Sequence, residues 1–433
     1  MRARSRGHRV AITGLGPITS IGTGVEDFWN AVLEGRRGAR SVEFPWMSRK
    51  SFKSRVGAPV ADPDAASLGL TEREADLLDP ASRFALAAAA LALRDAGFEL
   101  HAGVERGRRA VDGIDPERAG VVVGTGIGGL CTLEASHRAW VLGAPFAGTL
   151  RYSLPMLIPN ALPAQVAIRY GLQGECKAVV AACASGTMAI GDAYRLVRDG
   201  DLDIVIAGGV EKTLSDVDGF GLHGFDLLRT LSTRNEEPGR ASRPFDAERD
   251  GFVLSEGAGL VVLEREDHAR ARGGRIHAFV SGYAATCDAH SMMQLEPSGA
   301  PMVRVMRAAV ADAGVAPADV GYINAHGTST RQNDAHEAKA IKAAFGHHAE
   351  RILVNSTKAM TGHAIGAAGG IEAITTALSL EHETIHRCVN LDRPDPECDL
   401  ALPRENQRAR PWVGLSNSFA FGGHNATLVL ERA

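Results

Sequence analysis

The chain has 433 residues, 45% of them hydrophobic, 23% charged and 5% aromatic, and 47 Lys and Arg against 51 Asp and Glu leave a formal net charge of −4. This is the balance of a globular protein with an ample core, which excludes disordered and fibrous architectures and, being near neutral, a nucleic-acid or anionic-membrane surface as the main partner. No apolar stretch approaches the roughly 18 residues of a membrane span, and the basic start at residues 1–9 runs into Gly14, Gly16 and Pro17 rather than a signal-peptide core, so a cytoplasmic protein is expected.

A short β-branched run at 10–13 predicts the first strand. Residues 36–79 break the rhythm and read as an insertion, and the Ala/Leu run at 85–93 predicts a helix buried on most sides. Apolar runs at 120–124, 178–182 and 203–207 predict further strands, with a second insertion at 142–164 and a helix over 182–197 that stops at Gly200. The pattern then restarts. Beyond a basic, Gly-containing stretch at 270–275, strands are predicted at 276–280, 321–324, 352–355 and 413–416, and a helix over 301–313 that ends at Gly314. Length alone suggests about three domains at roughly 150 residues each. The alternation instead reads as βα units in two halves, 1–270 and 271–433, building buried, largely parallel sheets in an α/β fold. The 49 Gly suit the many tight turns of such a layered protein.

Six Cys lie scattered without a CxxC pair, so neither a disulfide framework nor a zinc knuckle is suggested. Cys183, in Ala-Cys183-Ala-Ser-Gly, follows a predicted strand and opens a predicted helix, where partial positive charge and free N–H groups favour thiolate. The plainer reading is a buried structural Cys. Two more strand ends deliver His326 (Asn-Ala-His326-Gly-Thr) and the pair Lys358 and His363 (Ser-Thr-Lys358-Ala-Met-Thr-Gly-His363). Each His alone suits a satisfied core position; together with Cys183 they suit acyl chemistry, the sulfur taking an acyl group and the imidazoles donating to an oxyanion or enolate. A Cys protease would want one His and an orienting Asn or Asp, and zinc through Cys183, His326 and His363 gains no support from ligand spacing. A fourth strand runs into Asn-Ser-Phe419-Ala-Phe421-Gly-Gly, either a plain turn or a backbone donor with a mobile aromatic gate.

These motifs, in this order and with Ser242-Arg-Pro-Phe-Asp246 and Arg249-Asp-Gly-Phe-Val-Leu254, resemble the β-ketoacyl-acyl-carrier-protein synthases of the thiolase superfamily over nearly the whole chain. Within that family, Thr330-Arg-Gln-Asn-Asp-Ala-His-Glu337 and Arg275-Ile-His resemble the catalytic ketosynthase subunit of type II polyketide synthases, while Leu231-Ser-Thr-Arg-Asn235 and the Phe419/Phe421 loop resemble the fatty-acid elongating enzyme. The resemblance implies a thiolase-like five-layered αβαβα fold from two duplicated halves, the first carrying the nucleophile and the second both catalytic His. It implies decarboxylative condensation of a malonyl carrier protein with an acyl chain on Cys183, in polyketide or, alternatively, fatty-acid elongation. His326 and His363 would hold the enolate oxygen, the N–H groups of Cys183 and Phe421 the oxyanion, Lys358 would tune the two His, and Glu372 and Asp334 would support the site. Ile127, Phe225 and Phe419 are expected along the acyl tunnel and Arg229 at the carrier-protein contact. No metal or redox cofactor is implied. The implied partners are acyl carrier protein and a second subunit, either another copy or a chain-length-factor-like chain. Where the fatty-acid enzyme carries a basic cluster for its carrier, this chain reads Thr71-Glu-Arg-Glu-Ala-Asp76. A degradative thiolase would need a second Cys where Phe421 stands, and the noncatalytic partner subunit would lack Cys183.

Overall fold

A computed structural model describes residues 7–49, 51–102, 109–144 and 148–433. Most of the basic start, residues 1–6, therefore lies outside the described residues. Ten strands form one continuous path: β1 (Val10–Thr19), β2 (Ala119–Gly124), β3 (Cys176–Val179), β4 (Ile204–Glu211), β5 (Gly257–Arg265), β6 (Ala278–Cys287), β7 (Val320–Asn324), β8 (Leu353–Asn355), β9 (Val413–Ala420) and β10 (His424–Arg432). Their spatial order is β8-β7-β9-β10-β6-β1-β5-β4-β2-β3. Read inward from each end, both halves show the same sequence of strands. The directions match as well: β2 lies parallel to β3 and β4, and β7 to β8 and β9, while β4/β5, β5/β1, β9/β10 and β10/β6 are antiparallel. The halves join through a short antiparallel ladder in which Val10, Ala11 and Ile12 face Val280, Phe279 and Ala278.

Helices divide this sheet system into layers. α1 (Pro80–Asp95) packs on β1, β4 and β5, and α2 (Ala161–Tyr170) on β2 and β3, covering the outside of the first half. The 85–93 run lies inside α1, which is capped by the Asp79 carboxylate accepting from the Ala81 amide at 2.8 Å. α3 (Ser185–Arg198) and α6 (Ala368–Glu381) touch strands of both halves and form the middle layer, while α4 (Ala300–Ala313) covers β6 and β10 and packs against α5 (Arg331–Phe345) on the far side. The result is αβαβα. A helix between two sheets has no wet face, and residues 368–380 of α6 are all buried. Small residues make that possible: a Cβ on Gly370 would stand 2.1 Å from the Gly259 carbonyl oxygen of β5. Side chains such as Ile374 and Leu378, fully buried here, each stabilise the layer by about 2 kcal/mol.

The two segments outside the rhythm fold into short pieces. Residues 45–75 hold a 3-10 turn, the strand Val56–Ala58 and the helices Ala65–Leu68 and Glu72–Ala75. The second insertion includes the helix Ser153–Leu157 and leaves Leu142 and Leu154 exposed. Among the described residues no helix is long and apolar enough to cross a membrane.

Candidate active site

The middle layer and the strand ends bring three chain segments to one point. The first follows β3. The sequence predicts a helix from 182, but α3 begins at Ser185, and Cys183 sits in a preceding 3-10 turn, Ala182–Ala184. Ala182 takes φ +47°, a left-handed conformation that costs a non-glycine residue energy. The turn is held from both sides by Ser185, whose Oγ accepts from the Ala181 amide at 2.8 Å and donates its one proton to the Ala182 carbonyl at 2.7 Å, with the Thr125 carbonyl the alternative acceptor at 3.1 Å. The second segment follows β7: the amides of His326 and Gly327 donate to the two carboxylate oxygens of Glu337 on α5, at 2.9 and 2.8 Å. The third follows β8, where Lys358 lies in the short helix Lys358–Thr361 and His363 is gripped by the 253–255 segment, donating to the Val253 carbonyl and accepting from the Ser255 amide.

Here the side chains meet. His363 Nε2 lies 3.1 Å from Cys183 Sγ, and the His326 and His363 rings stand edge to face with centroids 5.4 Å apart. Phe252 braces His363 from the other side at 5.2 Å, and Phe225 in turn packs on Phe252. Lys358 Nζ donates to the His326 carbonyl at 2.7 Å, approaches His326 Nδ1 at 3.4 Å and is ion-paired with Glu372, all of them buried.

This arrangement sets the imidazole tautomers. An ammonium can only donate, so its approach to His326 Nδ1 makes that nitrogen the acceptor and leaves the proton on Nε2. His363 Nδ1 is buried and has no partner among the described residues. A buried orphan donor costs more than a buried orphan acceptor, so His363 too carries its proton on Nε2. Burial, reinforced by Lys358, holds both imidazoles well below the usual histidine pKa, and they are neutral. The site thus offers two N–H donors beside the sulfur.

The thiol departs from the sequence expectation. Burial pushes Cys183 up to about 12 and outweighs the opposing pull of Lys358, so the resting group is a thiol rather than a helix-stabilised thiolate. Burial likewise raises Glu337 and Glu372 to about 7 against the hydrogen bonds and the Lys358 charge that favour ionisation.

Cys183, His326 and His363 face a cavity of about 440 Å³, with Phe225, Phe419 and Phe421 also on its walls. Phe419 is buried against His326, while Phe421 opens the turn Phe421–Gly423, which is tied to the 288–292 segment by the Gly422 amide on the Met292 carbonyl and the Asp288 amide on the Gly423 carbonyl. Arg229, exposed and at φ +55°, borders the same cavity.

Two expected residues stand apart. Ile127 does not line this cavity; its amide donates to Glu211 at 3.3 Å. Asp334 is fully buried away from it, accepting from the Phe245 and Ser329 amides beside Arg249, so it shapes the loop after His326 without reaching the reacting atoms. Glu337, Glu211 and Phe252 carry the site and were not singled out from the sequence. The signal for Glu337 was present in its spacing: it falls on the buried face of α5 with Asp334, Ala338 and Ile341, where an acidic side chain needs a partner. Among the described residues no group of three His, Cys, Asp or Glu is arranged to hold a metal ion.

Residues 7–269 match the family model described as β-ketoacyl synthase, N-terminal domain, and residues 277–392 match the corresponding C-terminal domain. A 3-oxoacyl-[acyl-carrier-protein] synthase 2 from Synechocystis is 41% identical over 425 residues, 98% of each chain, and one from Coxiella burnetii is 39% identical over 429 residues, again 98% of each. Among solved structures, a β-ketoacyl synthase from Burkholderia phymatum superposes with a TM-score of 0.86 at 34% identity, covering 98% of this chain and 100% of that one. A type II polyketide ketosynthase, solved with its acyl-carrier protein and bound to the hexaketide, gives 0.84 at 32% identity, covering 99% and 100%.

Proposed function

From the premise that the chain belongs to the β-ketoacyl synthase family and is a condensing acyltransferase, we propose that it elongates fatty-acyl chains on acyl carrier protein, with Cys183 as nucleophile and His326 and His363 as the decarboxylation pair. The observation that carries the residue roles is the 3.1 Å contact between Cys183 Sγ and His363 Nε2, with His326 edge-on beside it and Lys358 on His326.

The thiol of Cys183 adds to the acyl thioester of a loaded carrier protein; the carbonyl–sulfur bond to the carrier breaks, the carrier thiol leaves with the proton, and the acyl chain remains on Cys183. A malonyl carrier protein then enters the cavity. Its thioester oxygen is met by the Nε2–H groups of His326 and His363, the carbon–carboxylate bond breaks to release CO2, and the electron pair becomes an enolate held between two neutral donors. Its terminal carbon attacks the Cys183 thioester, the oxyanion is held by the backbone N–H groups of Cys183 and Phe421, and collapse expels the Cys183 sulfur. The released thiolate takes up one proton, so a turnover consumes one proton and yields the 3-ketoacyl carrier protein and CO2. Lys358, donating to His326 and paired with Glu372, keeps the imidazole neutral and its Nε2–H aimed at the enolate. Phe225 and Phe419 wall the acyl chain, and Phe421 gates it.

Relatives at 41% and 39% identity over almost their whole length bear the fatty-acid enzyme's name, which favours that reading over the polyketide one suggested by Arg275-Ile-His and by the type II polyketide neighbour at 32%. A carrier-protein partner draws support from the neighbour solved with its own carrier and from exposed Arg229 at the cavity. The edge position of β3 and the exposed Val180 beyond it support pairing with a second subunit. Six free cysteines suit a reducing cytoplasm. The test supplies purified protein alone with acyl and malonyl carrier proteins. A two-carbon extension by one chain supports the fatty-acid reading. Elongation only when a second, Cys-lacking chain is added supports the polyketide one.

A further inference from the structure

The first half holds a buried carboxylate that none of the steps above employs. Glu211 ends β4, fully buried. Its Oε2 accepts from the amides of Gly126 at 2.6 Å and Gly366 at 2.9 Å, and its Oε1 from Thr125 Oγ1 at 3.1 Å and the Ile127 amide at 3.3 Å. Burial raises this carboxyl to about 7, and the four donors that converge on it pull the other way, favouring the carboxylate. Gly126 and Ile127 follow β2 as His326 and Gly327 follow β7, and Glu211 grips the first pair of amides as Glu337 grips the second.

The fourth donor makes Glu211 more than a loop brace. Gly366 belongs to the other half, in the turn Ile365–Ala367 that begins two residues after His363, with Ile365 at φ +47°. The two turns meet backbone to backbone: a Cβ on Gly366 would stand 2.5 Å from the Gly126 nitrogen and 2.7 Å from Glu211 Oε2. We propose that Glu211 is a positioning residue of the condensation: one carboxylate ties the loop after β2 to the turn after His363 and so sets the approach of the His363 imidazole to the Cys183 sulfur. Its charge also acts on that sulfur, disfavouring thiolate together with Glu372 and against Lys358, while His326 and His363 face it as neutral rings.

The proposal rests on Cys183 being the nucleophile, and the experiment separates the two. Glu211→Gln keeps the shape but turns an N–H donor toward backbone N–H groups; Glu211→Asp keeps the charge and shortens the reach. In both, the structure implies a fall in kcat of about tenfold or more, with KM for malonyl carrier protein within about twofold, because binding is left alone and alignment is lost. In Glu211→Gln alone, the pH midpoint for iodoacetamide alkylation of Cys183 should move down, since an anion beside the sulfur is gone, and Glu211→Asp should return it toward wild type. A folded Glu211→Gln protein with unchanged kcat and alkylation profile overturns the proposal, and should that variant not fold, an unchanged kcat in Glu211→Asp does the same. Cys183→Ala is the control: condensation surviving in it would sink the nucleophile assignment instead.

Discussion

The two halves present the same turn to the site and fill it differently. In the first, β3 runs into the turn Ala182–Ala184 and the 14-residue helix α3; in the second, β8 leads through residues 356–364 to the turn Ile365–Ala367 and the 14-residue helix α6. Ala182 and Ile365 open these turns with the same φ of +47°. The position after that strained residue is Cys183 in one and Gly366 in the other. In the first half the strained turn presents the buried Cys183, the proposed nucleophile, to the cavity; in the second it lets the backbone close onto Glu211, while the longer interval after the strand carries Lys358 and His363. On the proposed roles, a duplicated scaffold divides the labour, with acyl transfer on one copy and decarboxylation on the other.

Substitutions that disable one half at a time test that division. Cys183→Ala should abolish acyl transfer and condensation, by about 10⁴-fold or more, read as loss of the acyl-enzyme in intact mass spectra and of 3-ketoacyl product. His326→Ala and His363→Ala should each slow CO2 release by about 10³-fold while the protein still accepts an acyl group on Cys183. Lys358→Ala acts through His326 and should cost less, about 10²-fold in decarboxylation. A conservative change there sharpens the point: Lys358→Arg, with a bulkier fork in a fully buried slot beside Glu372, should not restore the rate.

Two pH effects are smaller and carry opposite signs. Both site imidazoles have depressed pKa values and act in the neutral form, so neither should titrate as pH falls from 8 to 6, and a change in decarboxylation rate over that range should vanish in Glu337→Gln or Glu372→Gln, the carboxyl groups that burial raises to about 7. His277 goes the other way. It is buried between Asp95 on α1 and Glu381 on α6, at 2.9 and 2.7 Å; burial alone would lower its pKa, but the two carboxylates raise it to about 9. A raised folded-state pKa contributes stability that is full below the unfolded value of about 6.5 and lost as pH climbs through 9, a swing of about 3 kcal/mol. Urea titrations at pH 6.5 and 9.5 should show that loss in the wild type and not in His277→Gln.

Much of this division was legible in the residues. Each strand with a β-branched run and each helix closed by Gly200 or Gly314 announces itself locally, and the strand-end placement of Cys183, His326, Lys358 and His363 follows from those elements. What stayed hidden depends on contacts across the chain. The start of α3 moves to Ser185 because the Ser185 hydroxyl grips the Ala181 amide, a tertiary detail no periodicity carries. The thiol state of Cys183 is set by burial, which counters the helix terminus. Glu211 and Glu337 look like ordinary acidic residues until the amides that face them are known.

The central claim, that the first half transfers the acyl group and the second decarboxylates, is tested most directly by supplying His363→Ala with labelled acyl carrier protein and then malonyl carrier protein, following Cys183 acylation and CO2 in the same sample. The account predicts a stable acyl-Cys183 and CO2 release reduced by about 10³-fold. CO2 release at the wild-type rate from that variant would contradict it.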